Sequence, residues 1–268
     1  MKLAVSNIAW EQDDEAAVLE ALRRHGTSGV EVAPSKIWPE WEGATPAAAT
    51  AQAARYADLG FSVPALQAIL FGKPDLQVFG DGASRAALLD HLEFVSELAG
   101  SFGAKVLVFG SPRNRDPGDM PAHEAFERGA DFFRAAAERA HAHGTIIGLE
   151  PNPRTYACRF LTSWRDVKRM VEAVGHDALG THLDVACIKL EDDEPAEAVR
   201  ECGEAIAHFH ITEPDLGGFS EPSMPHAEVA IALREVQYDR WLSVEMRPAP
   251  DPVSAVDTAL QFVTRHYG

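Results

Sequence analysis

Thiols are scarce in this chain. Cysteine occurs only at Cys158, Cys187 and Cys202, with no CxxC pair, which argues against a zinc knuckle, a dithiol redox motif and a disulfide framework. Widely spaced, unpaired cysteines fit a reducing compartment, so a cytoplasmic protein is expected. Long hydrophobic runs are missing as well. No segment nears the roughly 20 apolar residues needed to cross a bilayer. The opening Met1-Lys2-Leu3-Ala4-Val5-Ser6 lacks the longer apolar core of a secretory signal, and no membrane partner is expected. No GxGxxG follows the first strand-like run, so the dinucleotide-binding fingerprint is absent. Basic charge is in deficit, with 24 Lys and Arg against 41 Asp and Glu and a net charge of −17. So acidic a body repels phosphates, and nucleic acid is not an expected partner.

What the chain does have is a repeating alternation. Short runs rich in Val, Ile and Leu occur at Leu3–Ile8, Gly29–Val32, Ser62–Leu66, Lys105–Phe109, Thr145–Leu149, Leu179–Leu183, Ile206–Phe209 and Leu242–Val244. Such runs suit strands buried on both faces. Between them apolar residues recur at helical spacing, as in Leu88, Leu92, Val95 and Ala99, in Phe126, Ala130, Phe133 and Ala137, and in Val253, Val256, Leu260 and Val263. Asp251-Pro252 supplies a cap followed by proline at the first helical position, and Gly26, Gly60 and Gly144 supply helix ends. Strand–helix alternation calls for a parallel sheet with crossover helices. Eight units in 268 residues match the ~250 residues of a closed barrel. The expectation is an α/β protein, a (β/α)8 TIM barrel occupying residues 1–268 as a single domain.

Active sites of such barrels form where strands end. Four consecutive strands end in a carboxylate or an imidazole, at Glu150, Asp184, His210 and Glu245, about one strand–helix unit apart. Their side chains should converge at one mouth. Three carboxylates brought together repel, and one would have to keep its proton unless a cation joined them. An oxygen-rich set with one imidazole suits one divalent metal ion, Mn2+ first, with Mg2+, Co2+ and Zn2+ open.

These residues carry a resemblance. Gly148-Leu149-Glu150-Pro151-Asn152-Pro153, Leu183-Asp184, His208-Phe209-His210-Ile211-Thr212-Glu213-Pro214 and Ser243-Val244-Glu245-Met246 resemble the xylose isomerase-like TIM barrels, the sugar phosphate isomerase/epimerase family. The resemblance implies a metal-dependent isomerase or epimerase acting on a small polyhydroxylated keto compound. Positions matching Glu150 and Glu245 would hold the metal and also move protons, through an enediolate that the metal stabilises. Asp184 and His210 would hold the metal only. The resemblance leaves open a dehydratase or lyase of an inosose-like or dehydroshikimate-like compound, and, less favoured, an endonuclease IV-like hydrolase or a barrel kept only for binding. A homodimer is one assembly it allows. The sugar epimerases commonly carry His, Arg and an acidic residue at the positions of Cys187, Leu216 and Tyr156, which argues against a simple ketohexose epimerase.

Further candidates lie near the same mouth. Gln67 ends the third strand and can hydrogen-bond a hydroxyl. Arg154 and Tyr156 follow Glu150, Glu213 follows His210, and His226 opens a helix behind a glycine-rich loop; all are substrate-contact candidates. His182 and His208 stand two residues before a donor, on the same strand face one layer deeper, as partners of the donors, extra proton carriers or core imidazoles, and His182 is a further substrate-contact candidate. Arg113 and Arg115 could meet an anionic or hydroxylated substrate but read first as solvated loop charges, and Cys187 as a buried inert thiol. Trp10, Trp38 and Phe71 are candidate aromatic walls for a sugar.

Overall fold

The computed structural model describes residues 1–268. Its strands are β1 (Lys2–Ser6), β2 (Gly29–Glu31), β3 (Ala65–Leu66), β4 (Val106–Phe109), β5 (Ile146–Leu149), β6 (Leu179–Asp184), β7 (Ile206–Ile211) and β8 (Trp241–Val244). Its helices are α1 (Glu15–Arg24), α2 (Pro34–Ile37), α3 (Pro46–Asp58), α4 (Gly82–Phe102), α5 (Ala122–Ala142), α6 (Trp164–Val174), α7 (Val185–Lys189), α8 (Pro195–Cys202), α9 (His226–Glu235) and α10 (Pro252–Tyr267). Every ladder is parallel, in the order β2-β1-β8-β7-β6-β5-β4-β3. Parallel bridges Gly29↔Ser62 and Val32↔Leu66 bring β2 to β3 and close the ring. The protein is a (β/α)8 TIM barrel.

Local chemistry starts the helices. The Thr45 hydroxyl caps α3 ahead of Pro46, Asp81 caps α4, Ser163 and Asp166 form a reciprocal capping box on α6, and Asp251 caps α10 ahead of Pro252, each satisfying an otherwise orphaned amide. Gly26, Gly60 and Gly144 all take positive φ where helices end. The apolar stripes face the core, with Leu88, Leu92, Val95 and Ala99 buried on α4 and Val256, Leu260 and Val263 on α10.

Four strands differ most from the sequence expectation. β1 stops at Ser6 because Asn7 turns into a 3-10 segment and clasps the Ala33 backbone, accepting from its N–H at 2.8 Å. β3 shrinks to two residues because Pro64 has no N–H for the ladder. β6 and β7 run longer, to Asp184 and Ile211, so Asp184 and His210 lie within the sheet as register partners. The β6–β7 register slips by one residue near Ala207. Ala207 packs with the inner residues Ala65 and Val106, and the adjacent His208 still reaches the inner residue Glu31. A bulge re-aims side chains in this way beside a functional site.

Candidate metal centre

Glu150 and Glu245 lie one residue beyond β5 and β8, and their N–H groups continue the ladder by donating to the carbonyls of Phe109 and Ile211 at 3.1 and 3.2 Å. With Asp184 and His210 they form a ring at the C-terminal mouth. From His210 Nδ1 the nearest oxygens are Glu245 Oε2 at 3.1 Å, Glu150 Oε1 at 3.9 Å and Asp184 Oδ2 at 3.9 Å. His210 and Asp184 are 1–2% exposed, and the Glu150 and Glu245 side chains 10% and 12%.

Each donor has one end held and one end aimed inward. Asp184 Oδ1 accepts from the Cys187 N–H at 2.7 Å and the Thr212 hydroxyl at 2.8 Å, which leaves Oδ2 facing His210. Glu150 Oε2 accepts from Asn152 Nδ2 at 3.0 Å, and the Asn152 carbonyl oxygen accepts from Arg115 at 2.8 Å. A Cβ on Gly110 would stand 2.2 Å from Glu150 Oε2, so glycine is needed there for Glu150 to lie across β4. His210 donates Nε2–H to Glu31, at 3.0 and 3.1 Å from its two oxygens. That bond selects the tautomer whose Nδ1 lone pair points at the carboxylates, and Nδ1 has no hydrogen-bond partner.

Electrostatics follow from burial and crowding. Burial and the neighbouring Glu150 push Asp184 up to about 7. Burial also raises Glu245, against the pull of His210. For Glu150, burial is outweighed by His182, His210 and Asn152, which bring it down to about 2. Burial disfavours a charged His210, yet Glu31 and Glu245 hold it well above the ordinary range. Without another cation, burial and crowding therefore push Asp184 and His210 toward their protonated forms. A divalent ion can replace those protons, which is how metal sites couple to proton release. The orphaned Nδ1, the oxygen-rich donors and the suppressed ionisation fit such an ion held by Glu150, Asp184, His210 and Glu245. Asp184, His210 and Glu245, and separately Glu150, Asp184 and Cys187, place donor atoms within 4.8 Å of one another.

The other candidates divide. Tyr156, Glu213, Cys187 and Leu216 line a cavity of about 180 Å3 together with Glu150, Asp184 and Glu245. Tyr156 also accepts from the Asp215 N–H at 2.8 Å. The Glu213 carboxylate is already engaged by Ser223, Met224 and His226. His226 is sandwiched between Glu213 and the Tyr267 hydroxyl, 2.8 Å from each, so it braces a loop and is not brought to the donors. Arg154 is not brought there either; its side chain is exposed and pairs with Glu191. Gln67 is buried and bonds the Ser6 hydroxyl. His182 stacks edge-on to His210 at 4.2 Å, with Nε2 3.5 Å from Glu150; burial drives it down to about 4. Trp10 is core, Trp38 packs on Phe102, and Phe71 is exposed. Arg115 overturns the expectation of a solvated charge: it is 0% exposed and donates to the Glu150 carbonyl at 2.7 Å. Glu31 and Asn152 were not singled out from sequence, although Glu31 closes β2 as Asp184 closes β6.

A parallel eight-stranded barrel with four donors gathered at the ends of β5 to β8 is a TIM barrel carrying a candidate metal centre. The chain belongs to the xylose isomerase-like TIM barrel family, whose model matches residues 19–266. It is 27% identical over 201 residues to an L-ribulose 3-epimerase of Mesorhizobium japonicum, covering 72% of this chain and 64% of that protein. Matches to the curated relatives span between about a third and just under two thirds of their length. Among solved structures, an L-ribulose 3-epimerase superposes with a TM-score of 0.84 at 20% identity, covering 100% of this chain and 95% of that one. The IOLI protein with a binding zinc atom superposes with a TM-score of 0.75 at 18% identity, covering 99% and 96%. At such identities the likeness concerns the fold.

Proposed function

We propose that this protein is a divalent-metal-dependent isomerase or epimerase of a keto sugar or a sugar-like keto compound. The observation that carries the reading is the buried donor ring: three carboxylates facing one imidazole nitrogen that has no hydrogen-bond partner. The similarity to named 3-epimerases supports it. Bound there, a divalent cation would supply Lewis-acid polarisation of a carbonyl and offset negative charge on adjacent oxygens; Mn2+ is the first candidate.

The chain's own residues supply the proton traffic. Glu150 is held ionised by His182 and Asn152, so it suits the general base. Glu245, just beyond β8, is the second carboxyl of the ring and suits the group that returns a proton. Their separate attachment to β5 and β8 lets one take a proton from the carbon beside a carbonyl while the other returns one from a different direction. Asp184 and His210 fix the site, and the low exposure of the ring keeps bulk water from the reacting carbon.

A dehydratase on the same scaffold is kept as second reading by one observation. Cys187, Leu216 and Tyr156, the positions that differ from the sugar epimerase pattern, all line the donor cavity. Elemental analysis combined with deuterium incorporation from heavy water into ketoses, inososes and dehydroshikimate tests both. One bound metal with deuterium entering beside the carbonyl is expected, and unchanged product mass selects isomerase over dehydratase. Glu150→Gln and Glu245→Gln should each abolish exchange in a folded protein. A fully active Glu245→Gln variant would sink the assignment.

A further inference from the structure

The donor cavity is small and acidic. Its volume of about 180 Å3 falls below the roughly 300 Å3 at which pockets for drug-sized ligands begin. Tyr156 is part of its wall and also part of the wall of a second cavity of about 490 Å3. The second cavity lies over the turns that follow β3 and β4, on the same barrel mouth, between Ala68–Pro74 and Ser111–Asn114. Its chemistry is the reverse of the first. Leu70, Phe71 and Pro112 make the wall largely apolar, no carboxylate lines it, and Lys73 and Arg113 both stand on it. Neither basic side chain forms an ion pair; Lys73 Nζ lies 5.9 Å over the Trp41 ring, and Arg113 is exposed.

That pairing runs against the composition of the chain. With 41 acidic and 24 basic residues, an acid-free cavity with two unpaired cations is not what a random patch of this surface would show. The turns that carry the two cations are also tied together. Asn114 donates its side-chain amide to the carbonyls of Lys73 at 2.8 Å and Leu76 at 2.6 Å, and its own carbonyl accepts from the Val78 N–H at 2.8 Å. The turn carrying Lys73 is thereby locked to the turn carrying Arg113. Ala68 and Ser111, at the bases of these turns, both take left-handed backbone, with φ of 50° and 26°, a cost that ordered binding clamps tolerate.

We propose that the second cavity holds an oxyanion, a phosphate or a carboxylate, borne on the far end of the substrate whose carbonyl end lies at the donor ring. The placement of the carbonyl rests on the function proposed above; the anion site rests on the second cavity alone. Phe71, 69% exposed, stands on the wall of the second cavity beside the two cations. The acidic end takes the reacting polyol, the basic end takes the charge, and Tyr156 stands between them.

Calorimetric titration of the metal-loaded protein with three probes tests this: D-fructose, D-fructose 6-phosphate and the 6-carboxylate analogue D-fructuronate. An anionic probe is expected to bind roughly tenfold or more tightly than D-fructose, the worth of one charge-assisted hydrogen bond. Which anionic probe gains identifies phosphate or carboxylate. The Lys73→Met/Arg113→Met double variant should lose that gain and bind D-fructose as before, and added salt should shrink the gain in the unaltered protein. Anionic probes that bind no better than D-fructose, or a gain that survives the double variant, would overturn the proposal. Deuterium exchange measured on the same samples separates the two readings. A charge-dependent gain with no exchange on any probe leaves the anion site standing and removes the isomerase assignment, whereas exchange without the gain does the opposite.

Discussion

Glu31→Gln isolates the support beneath the donor ring. Glu31 is 0% exposed and holds His210 Nε2–H at 3.0 and 3.1 Å, with His208 Nε2 at 3.4 Å. Burial would raise its carboxyl, but His210 and His208 bring it well below the usual range, so it is ionised at neutral pH. Glutamine keeps an oxygen that can accept from Nε2–H, so the ring need not turn; what is lost is the negative charge that makes Nδ1 a better donor. Partners of this kind are worth about 10–100-fold in metal affinity, or about 1.4–2.8 kcal/mol. The metal-free protein should also lose stability, by less than the ~3–5 kcal/mol of a fully broken buried pair, because the hydrogen bond survives. The sign with pH is set by the lowered carboxyl. Its contribution is complete above the ordinary glutamate range and fades as pH falls through the folded value, so the gap between variant and parent should narrow in strong acid. Titrating Mn2+ into chelator-stripped protein by calorimetry, with circular dichroism as control for folding, reads the effect. A folded Glu31→Gln protein that binds Mn2+ within about twofold of the parent would refute the reasoning, since it would show that His210 is oriented and polarised by something other than Glu31.

Other perturbations separate chemistry from scaffolding. Cys187→Ala should leave the rate of proton exchange nearly unchanged, because burial and then Asp184 and Glu150 drive the thiol well above its usual range, and the cap on Asp184 comes from the Cys187 backbone; loss of activity in steady-state assays would give the thiol a chemical role. Glu213 is raised by burial but lowered on balance by His226 and the Ser223 and Met224 contacts. Its bracing of the 213–226 loop should therefore persist at neutral pH and fail as pH drops below the ordinary glutamate range, seen as faster amide exchange at Ser223 and Met224. Gly110→Ala should cut exchange activity by tenfold or more, a barrier of about 1.4 kcal/mol, by displacing Glu150 Oε2 from its 2.2 Å clash; a fully active variant would show that Glu150 has room to move.

The barrel was legible because strands buried on both faces leave continuous Val, Ile and Leu runs, and the donors because each closes one of those runs. Glu31 was hidden by a shift of one residue: the apolar run reads on to Val32, whereas β2 ends at Glu31. Arg115 carried no signal. Its loop folds back beneath Glu150, and its acceptors at Glu150 and Asn152 are more than thirty residues away. Arg154 shows the converse, adjacent to the donors along the chain yet turned to Glu191, a partner 37 positions on. Spacing conveys strand period and helix period, but not which distant carboxylate captures a flexible side chain. The slip beside Ala207 also left no mark in the hydrophobic pattern.

All four donors come from β5 to β8, whereas Lys73 and Arg113 stand on the turns after β3 and β4. The four donors thus come from the later half of the chain, and the two cations of the proposed anion site from the earlier half. The halves are not independent, because the turn after β4 that carries Arg113 also carries Gly110 and Arg115, both set against Glu150. A lineage that rewrote this turn would have to re-seat Glu150 as well, so discrimination and chemistry would have to change together.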